Sequence, residues 1–385
     1  MNMNVFEFNT TPSLVVQRGG ASTLGERLLA KGFKRVAIIT DHGLLASGML
    51  QPTLDNLKKC GIASSVFSDV QADPPEAVIH AAREAVLSLE ADCVVGFGGG
   101  SSMDVAKLAA LTARTGQALS AAYGVNQAAG PGLPLVMVPT TAGTGSEVTP
   151  ISIVTTGEGE KKGVVSPFLL PSLALLDAEL TKGLPAPVTA ATGIDAMVHA
   201  IEAYTSKRLK NPISDCLARD ALRLMAGSLH RACRQGDDMS AREDMLLGAC
   251  LAGMAFANAP VAAVHALAYP IGARFHVPHG LSNALVLPTV MRFNLPVAQQ
   301  QYAELAEIVV PGKGDSVATK AQALVDYVGT LSADLGLPHT LRGVGISAAD
   351  IAVLSEDAMK QTRLLINNPR EVTLQDATRL YEEVL

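Results

Sequence analysis

The sequence lacks the features that mark membrane-bound, secreted and nucleic-acid-binding proteins. Its apolar runs are shorter than the roughly 18 residues that a membrane-spanning helix needs. The first residues, MNMNVFEFNTTPSL, contain no basic segment followed by an apolar one, so we expect no signal peptide and a soluble cytoplasmic protein. Lysines and arginines are scattered, the densest block is KRLK at 207–210, and the net charge is −6, which argues against nucleic acid as a partner.

Cysteine is scarce, and its spacing excludes a further group of proteins. The five cysteines are Cys60, Cys93, Cys216, Cys233 and Cys250, an odd number without a C-x-x-C pair. We expect reduced thiols in apolar surroundings rather than disulfides or a zinc or redox motif. By contrast, 48% of the 385 residues are hydrophobic and 17% are charged, so the chain should be globular, with enough length for two domains.

The chain divides into two halves with different patterns. In residues 1–184, strands that are apolar throughout alternate with helices. This pattern is typical of a mainly parallel sheet covered on both faces. The predicted strands are 35–41, 93–100, 134–141 and 173–177, and the helices are 77–91 and 102–113. Beyond Pro185 and Pro187 the pattern is helical, at 213–234, 240–258, 299–309, 317–335 and 373–384. We predict an α/β nucleotide-binding domain over 1–184 followed by an all-helical domain over 185–385.

A glycine-rich loop follows one of these strands. GFGGGSSMDVAK, residues 96–107, places Gly98, Gly99, Gly100 and Ser101 between a strand and a helix. Because glycine has no Cβ atom, its backbone N–H group can approach a phosphate closely. The N-terminus of the following helix also attracts a phosphate. The dinucleotide fingerprint G-x-G-x-x-G is not met, because Ser101 stands where the third glycine belongs. On this loop alone, phosphate binding and a plain strand-to-helix turn both stay open.

Two other strand ends carry compatible side chains. PTTAGTGSEVT, residues 139–149, offers the hydroxyls of Thr140, Thr141 and Thr144 to phosphate or ribose oxygens, or to the backbone of its own loop. Asp41 ends the first clear strand, where a carboxylate could accept from ribose hydroxyls or cap a turn. Ligands of parallel sheets bind at the carboxyl ends of strands. Three such ends together therefore favour a nucleotide site.

Histidines and a carboxylate in the second half indicate a metal site. In GIDAMVHAIEAY, residues 193–204, Asp195 and His199 lie one helical turn apart on one face. AAVHALAYPIGARFHVPHGLSNAL, residues 262–285, contains His265, His276 and His279 among apolar neighbours, where each imidazole needs a metal or a hydrogen bond. One carboxylate with two or three imidazoles suits Fe(II), Zn(II), Ni(II) or Co(II), which would act as a Lewis acid on an alcohol oxygen.

Four motifs together resemble those of the iron-containing (group III) alcohol dehydrogenase family, within the superfamily of glycerol dehydrogenase and dehydroquinate synthase. They are GGGSSMDVAK, PTTAGTGSEVT, GIDAMVHAIEAY and HALAYPIGARFHVPHG, and the similarity continues to NNPREVTLQDATRLY at 367–381. The resemblance implies an NAD(H)-dependent enzyme that interconverts a small alcohol and its aldehyde or ketone. It also implies a bound Fe²⁺, with Zn²⁺ or another divalent ion possible, and a homodimer or higher homo-oligomer.

The resemblance further implies roles for individual residues. The metal ligands of the family fall on Asp195, His199, His265 and His279. Its cofactor-binding positions fall on Gly98, Gly99, Gly100, Ser101, Thr140, Thr141, Thr144 and Asp41, whose carboxylate would favour NAD over NADP. A lysine that reaches the cofactor beside the reaction site falls on Lys161, or on Lys162 if the alignment shifts by one residue.

The proton path and the substrate pocket depend on positions where the motifs vary. Many family members carry a histidine four residues after the third ligand, but this chain has Tyr269 there. We expect His276, three residues before a ligand, to pass the proton to solvent more readily than Tyr269, because an imidazole titrates near neutrality. Phe256 is expected in the wall of the substrate pocket or in the core. Glu202 is expected to be solvated or to lie behind the ligands.

Three alternative functions remain for comparison. A hydroxyacid–oxoacid transhydrogenase would keep its cofactor bound, so no free NADH would appear after alcohol is added. A lyase similar to dehydroquinate synthase would need a basic cluster for its phosphorylated substrate, and residues 255–285 offer few basic residues beyond Arg274. A non-catalytic binding or sensory protein would not need all four metal ligands, which are intact here.

Overall fold

The computed structural model describes residues 5–157 and 160–385. They form two compact units, one of Asn9–Gly183 and one of Leu184–Leu385 with the described residues up to Phe8. Within these described ranges, no single helix has both the length and the apolar character to cross a membrane. One pair of consecutive helices, bent by 107°, meets that test by length and composition only.

The first unit contains a parallel sheet of six strands. From one edge to the other they are β1 (Leu14–Val16), β9 (Leu173–Leu176), β6 (Leu135–Pro139), β4 (Cys93–Gly98), β2 (Arg35–Asp41) and β3 (Ala63–Val70). A smaller sheet, which the sequence pattern does not predict, contains β5 (Gly124–Val125), β8 (Glu160–Val165) and β7 (Ile151–Thr156) in that order. In the smaller sheet β7 and β8 are antiparallel.

Helices cover both faces of the larger sheet. The helices of this unit are α1 (Leu24–Ala30), α2 (His42–Ala46), α3 (Gln51–Lys59), α4 (Glu76–Ser88) and α5 (Gly100–Thr115). Val36 and Ile38 of β2 pack into the core that contains α1 and α3 residues, while Ala37 and Ile39 pack into the core of α4 and α5. Because successive side chains of a strand point to opposite faces, a strand buried on both faces must be apolar throughout.

The described residues of the second unit form helices and connecting segments. The helices are α6 (Ala186–Thr205), α7 (Pro212–Arg234), α8 (Met239–Asn258), α9 (Ala263–Phe275), α10 (His279–Val309), α11 (Val317–Asp334), α12 (Ile351–Met359), α13 (Thr362–Leu365) and α14 (Leu374–Glu382). An α/β unit followed by a helical one confirms the predicted fold class. α10 is longer than the predicted 299–309, because it continues through Pro288 and Pro296.

Two glycines allow close approach to α6. A Cβ atom on Gly193 would lie 2.5 Å from Cδ1 of Leu229. A Cβ atom on Gly280 would lie 2.4 Å from the carbonyl oxygen of Ala191, a backbone atom that has no rotamer with which to move aside. Gly280 therefore lets the first turn of α10, which begins at His279, pack directly against α6.

Candidate metal centre

Three helices bring the four predicted ligands together. α6 supplies Asp195 and His199, α9 supplies His265, and His279 begins α10. One ligand atom from each side chain lies within 4.8 Å of all the others. From Oδ1 of Asp195 the distances to the three Nε2 atoms are 4.0 Å (His199), 3.9 Å (His265) and 3.6 Å (His279). We call these four residues the metal centre.

The donor set of the metal centre fits a divalent ion. Three of its side chains, Asp195, His199 and His265, are only 2–4% exposed, and buried groups of this kind are stable only when paired or coordinated. Donor atoms bound at about 2.1 Å in a tetrahedron lie roughly 3.4 Å apart, slightly closer than the spacings here. Oδ1 of Asn283 is also buried and has no hydrogen-bond partner among the described residues. The centre thus has donors of the right kind and an unsatisfied polar atom.

Asp195 is held in its ionised form. Burial raises its pKa, but the imidazoles of His199, His279 and His265 and the amide of Asn283 lower it more, so the pKa lies below its ordinary value. Nδ2 of Asn283 donates to Oδ1 of Asp195 at 2.6 Å. The same nitrogen lies 3.2 Å from Nε2 of His279 and 3.3 Å from Nε2 of His265. Asn283 is not among the residues predicted from the sequence, although it follows His279 by one helical turn.

Glu202 lies behind His265. The expectation of a solvated side chain is therefore wrong, and the alternative expectation, a position behind the predicted ligands, is confirmed. Its carboxylate is buried. Oε2 lies 2.7 Å from Nδ1 of His265, and Oε1 accepts the backbone N–H of Val264 at 2.7 Å. Glu202 follows Asp195 by seven residues, a spacing that puts both on one face of α6. That spacing is the signal in the sequence that separates it from a surface acid.

Aromatic rings pack against the imidazoles. Phe256 stacks on His199 with ring centroids 4.3 Å apart and an interplanar angle of 22°. The ring of Tyr269 lies 5.8 Å from that of His279 and 6.3 Å from that of His265. His276 is exposed, ends α9 in the left-handed conformation with φ of 54°, and is not one of the four converging side chains. The structure therefore places Phe256 and Tyr269, but not His276, against the metal centre.

In the first unit, the two loops predicted to bind the cofactor pack together. They follow β4 and β6, which are neighbours in the sheet, so they lie at the same edge. The N–H of Thr140 donates to the carbonyl of Gly98 at 3.0 Å. A Cβ atom on Gly100 would lie 2.8 Å from Cγ2 of Thr144. Gly98 has φ of 150°, which favours glycine, and α5 begins two residues later, at Gly100.

A buried lysine joins the threonine-containing loop to α5. Nζ of Lys107 donates to Oγ of Ser146 at 2.8 Å, the carbonyl of Thr149 at 3.0 Å and the carbonyl of Ile151 at 2.8 Å. Ser146 in turn donates to Asp104 at 2.7 Å. Burial lowers the pKa of Lys107 to about 8, against the opposing effect of Asp104. Lys107 and Asp104 belong to GGGSSMDVAK but are not among the predicted site residues.

Asp41 fills one of the two roles that the sequence leaves open, that of a helix cap. It is the last residue of β2, which lies beside β4, so its carboxylate is at the sheet edge where the glycine loop begins. Its Oδ1 also accepts the N–H of Leu44 at 2.9 Å as the cap of α2. The cap involves one oxygen of the carboxylate.

The two candidate lysines of β8 differ in their surroundings. Lys161 is 9% exposed and forms an ion pair with Asp73, whereas Lys162 is 43% exposed and pairs with Glu160. Adjacent strand residues point to opposite faces, so only one of them can face a given ligand. Of the two lysines, Lys161 has the more buried side chain.

Comparisons with known proteins cover nearly all of the chain. A family model for iron-containing alcohol dehydrogenase matches residues 11–178, and one for the C-terminal part of the Fe-containing alcohol dehydrogenase family matches 189–385. Long-chain-alcohol dehydrogenase 1 of Geobacillus thermodenitrificans is 38% identical over 390 residues, which cover 99% of this chain and 97% of that protein.

Solved structures agree with the sequence matches. The crystal structure of a 1,3-propanediol oxidoreductase matches with a TM-score of 0.95 and 34% identity, covering 99% of this chain and 100% of that one. Sulfoacetaldehyde reductase from Bifidobacterium kashiwanohense, solved in complex with NAD⁺, matches with a TM-score of 0.88 and 30% identity over 99% of each chain. With the converged ligands, these matches show that the chain belongs to the iron-containing alcohol dehydrogenase family.

Proposed function

We propose that this enzyme interconverts a small alcohol and its aldehyde or ketone, with NAD(H) as the hydride carrier and Fe²⁺ at the metal centre. The observation that carries the proposal is the convergence of one buried carboxylate and three imidazoles from three helices. A divalent ion there would supply a Lewis acid for the alcohol oxygen, while the nicotinamide of NAD would accept the hydride.

The residues around the metal centre orient its donors and pack against their rings. Asn283 orients Oδ1 of Asp195 through a hydrogen bond of 2.6 Å. Phe256 covers one face of His199, and the ring of Tyr269 lies close to His265 and His279. Charges and dipoles act more strongly in buried surroundings, so this packing would strengthen the Lewis-acid chemistry that a divalent ion supplies.

The first unit offers matching groups for the cofactor. The backbone N–H groups at the start of α5, over 98–101, suit the pyrophosphate, and the hydroxyls of Thr140, Thr141 and Thr144 lie in the adjoining loop. Asp41 would accept from ribose hydroxyls and repel the extra phosphate of NADP. Lys161 would reach the cofactor from β8, with Asp73 holding its ammonium group.

The substrate class is drawn broadly because the relatives differ. Their names specify a long-chain alcohol, 1,3-propanediol and sulfoacetaldehyde. A phosphorylated substrate of the dehydroquinate synthase type has little support, because Arg274 is 44% exposed and is paired with Asp357.

The test uses purified enzyme loaded with Fe²⁺ under anaerobic conditions. Alcohols and aldehydes of increasing chain length, with diols and charged aldehydes, are assayed with both cofactors by absorbance of the reduced nicotinamide. We expect free NADH to form with at least one small alcohol. Transfer of hydride to an added oxoacid without free NADH would instead show a transhydrogenase. No reaction in any combination, with metal bound, would contradict an enzymatic function.

A further inference from the structure

Glu202 has two hydrogen bonds that point to a specific role. Its side chain is buried on α6, on the face that carries Asp195. One carboxylate oxygen lies 2.7 Å from Nδ1 of His265, and the other accepts the N–H of Val264, the residue before that histidine. The carboxylate is therefore bonded to both the backbone and the ring at the start of α9.

These bonds determine which nitrogen of His265 carries the proton. A carboxylate accepts hydrogen bonds, so Nδ1 of His265 must be the donor. In a neutral imidazole the lone pair then lies on Nε2, the atom 3.9 Å from Oδ1 of Asp195. Metal ligation requires a neutral ring with its lone pair directed at the ion. The contact with Glu202 therefore leaves the Nε2 lone pair of a neutral His265 available to the ion.

We propose that Glu202 is a positioning residue that sets the tautomer and ring orientation of His265 and thereby the affinity of the metal centre for its ion. The inference rests on the proposed metal centre and adds a residue to it. A carboxylate bonded to the outer nitrogen of a ligating imidazole fixes the orientation of the ring, and loss of such a partner lowers metal affinity. The bond to Val264 fixes the carboxylate itself, so the effect depends on position as well as charge.

Two variants of Glu202 separate the effect of its charge from that of its hydrogen bonds. Glu202→Gln keeps the shape but has only one acceptor oxygen for two donors, and Glu202→Ala removes both bonds. Thr205→Ala is the matched control, since Thr205 is buried on the same helix and bonds only within it, to the carbonyl of Ile201. Binding of Zn²⁺ alone is measured by competition with a chelator, without cofactor or alcohol. The absorption spectrum of the Co²⁺ form reports the coordination.

We expect affinity for Zn²⁺ to fall about 10- to 100-fold in Glu202→Ala and less in Glu202→Gln, with Thr205→Ala unchanged. The Co²⁺ spectrum should change in the Glu202 variants only. Wild-type affinity and spectrum in a folded Glu202→Ala or Glu202→Gln protein would overturn the proposal. In that case His265→Ala still tests the metal centre: loss of Zn²⁺ there would leave the proposed function standing.

A measurement on the unmodified protein covers the case in which the variants do not fold. The zinc form is labelled with ¹⁵N in its eight histidines, and long-range correlation spectra identify the protonated nitrogen of each ring. The signals of His265 are assigned from their absence in His265→Gln. We expect the proton on Nδ1 and the metal on Nε2. A proton on Nε2 of His265 would overturn the proposal.

Discussion

The metal centre and the glycine loop differ in the groups on which they depend, which are side-chain atoms in the first and backbone groups in the second. The metal centre consists of side-chain atoms from three helices, gathered around Oδ1 of Asp195. The proposed cofactor loop at 98–101 would instead act through backbone groups, and a Cβ atom on Gly98 or Gly100 would collide with Ser102 or Thr144. Replacing a side chain should therefore abolish the first site but only deform the second.

Both sites nevertheless depend on buried polar residues that stand behind them. Glu202 and Asn283 hold ligands of the metal centre, and Lys107 with Asp104 holds the loop that faces the glycines. Buried networks of this kind are stable only when each member is satisfied. We therefore expect loss of a supporting residue at the metal centre to lower the affinity for the metal ion. Loss of one around the loop should lower the stability of the folded protein.

The largest effect is expected from His265→Ala. Loss of a ligand should lower the metal content and remove about 4 kcal/mol of transition-state stabilisation, which corresponds to roughly a thousandfold in kcat. Metal analysis and turnover at saturating cofactor check both quantities. His339→Ala, at an exposed position, is the control. Full turnover with an unchanged metal-to-protein ratio in His265→Ala would show that His265 is not a metal ligand.

The next effect tests the network behind the loop. In Lys107→Met the carboxylate of Asp104 stays buried without the nearby ammonium group of Lys107, to which Ser146 links it, so the free energy of unfolding should fall by about 3–5 kcal/mol, and the KM for NAD should rise. Asp104→Asn in the same chain should restore part of that stability. Denaturant unfolding and initial rates give the values, with Lys58→Met on the exposed side of α3 as control. Unchanged stability in Lys107→Met would show that the loop holds without this lysine.

Residues that act through their own atoms could be predicted from the sequence. Asp195 and His199 are four apart on a helix, and His265 and His279 stand in one histidine-rich segment, so residue type and spacing indicate a metal site. The choice of His265 and His279 over His276 comes from the resemblance to the family. Glu202 is harder, because the contact with His265 joins helices that are distant in sequence. Asn283 lacks a charge and offers no comparable signal, although it bonds to Asp195.

Features that arise from backbone shape could be predicted less well. The strands β7 and β8 contain Thr, Lys and Gly, so they lack the continuous apolar runs that identify β2 and β4. Lys107 lies in a helix of ordinary periodicity, and its burial depends on three oxygens from a segment some forty residues later. Such a partner is visible only after the chain has folded.

A smaller effect concerns the choice of cofactor. Asp41→Asn keeps an oxygen to accept the N–H of Leu44 but removes the charge that would repel the 2′-phosphate of NADP. The preference for NAD, as a ratio of kcat/KM values, should fall by about tenfold, which is 1.4 kcal/mol. Asp55→Asn, on the exposed side of α3, should leave the ratio unchanged. Equal use of both cofactors by the wild-type enzyme would contradict this role for Asp41.

The smallest effect compares the two candidates for the proton path. Tyr269 lies beside two ligand rings, whereas His276 is exposed at the end of α9. This geometry favours the reverse of the order expected from the sequence, in which His276 comes first. Tyr269→Phe keeps the ring and loses one hydroxyl, so kcat should fall by roughly two- to tenfold, the value of about 0.5–1.5 kcal/mol for one hydrogen bond.

His276 supplies the contrasting variant, because its backbone has φ of 54°, where a side chain costs free energy and glycine does not. If the residue serves only to end α9, His276→Gly should retain kcat and raise the free energy of unfolding by up to about 1 kcal/mol. Rates between pH 6 and 9, which bracket the ordinary pKa of histidine, and denaturant unfolding of both variants check this. A loss of kcat in His276→Gly that exceeds the loss in Tyr269→Phe would restore the order expected from the sequence, and would mean that an exposed imidazole outside the metal centre carries the proton.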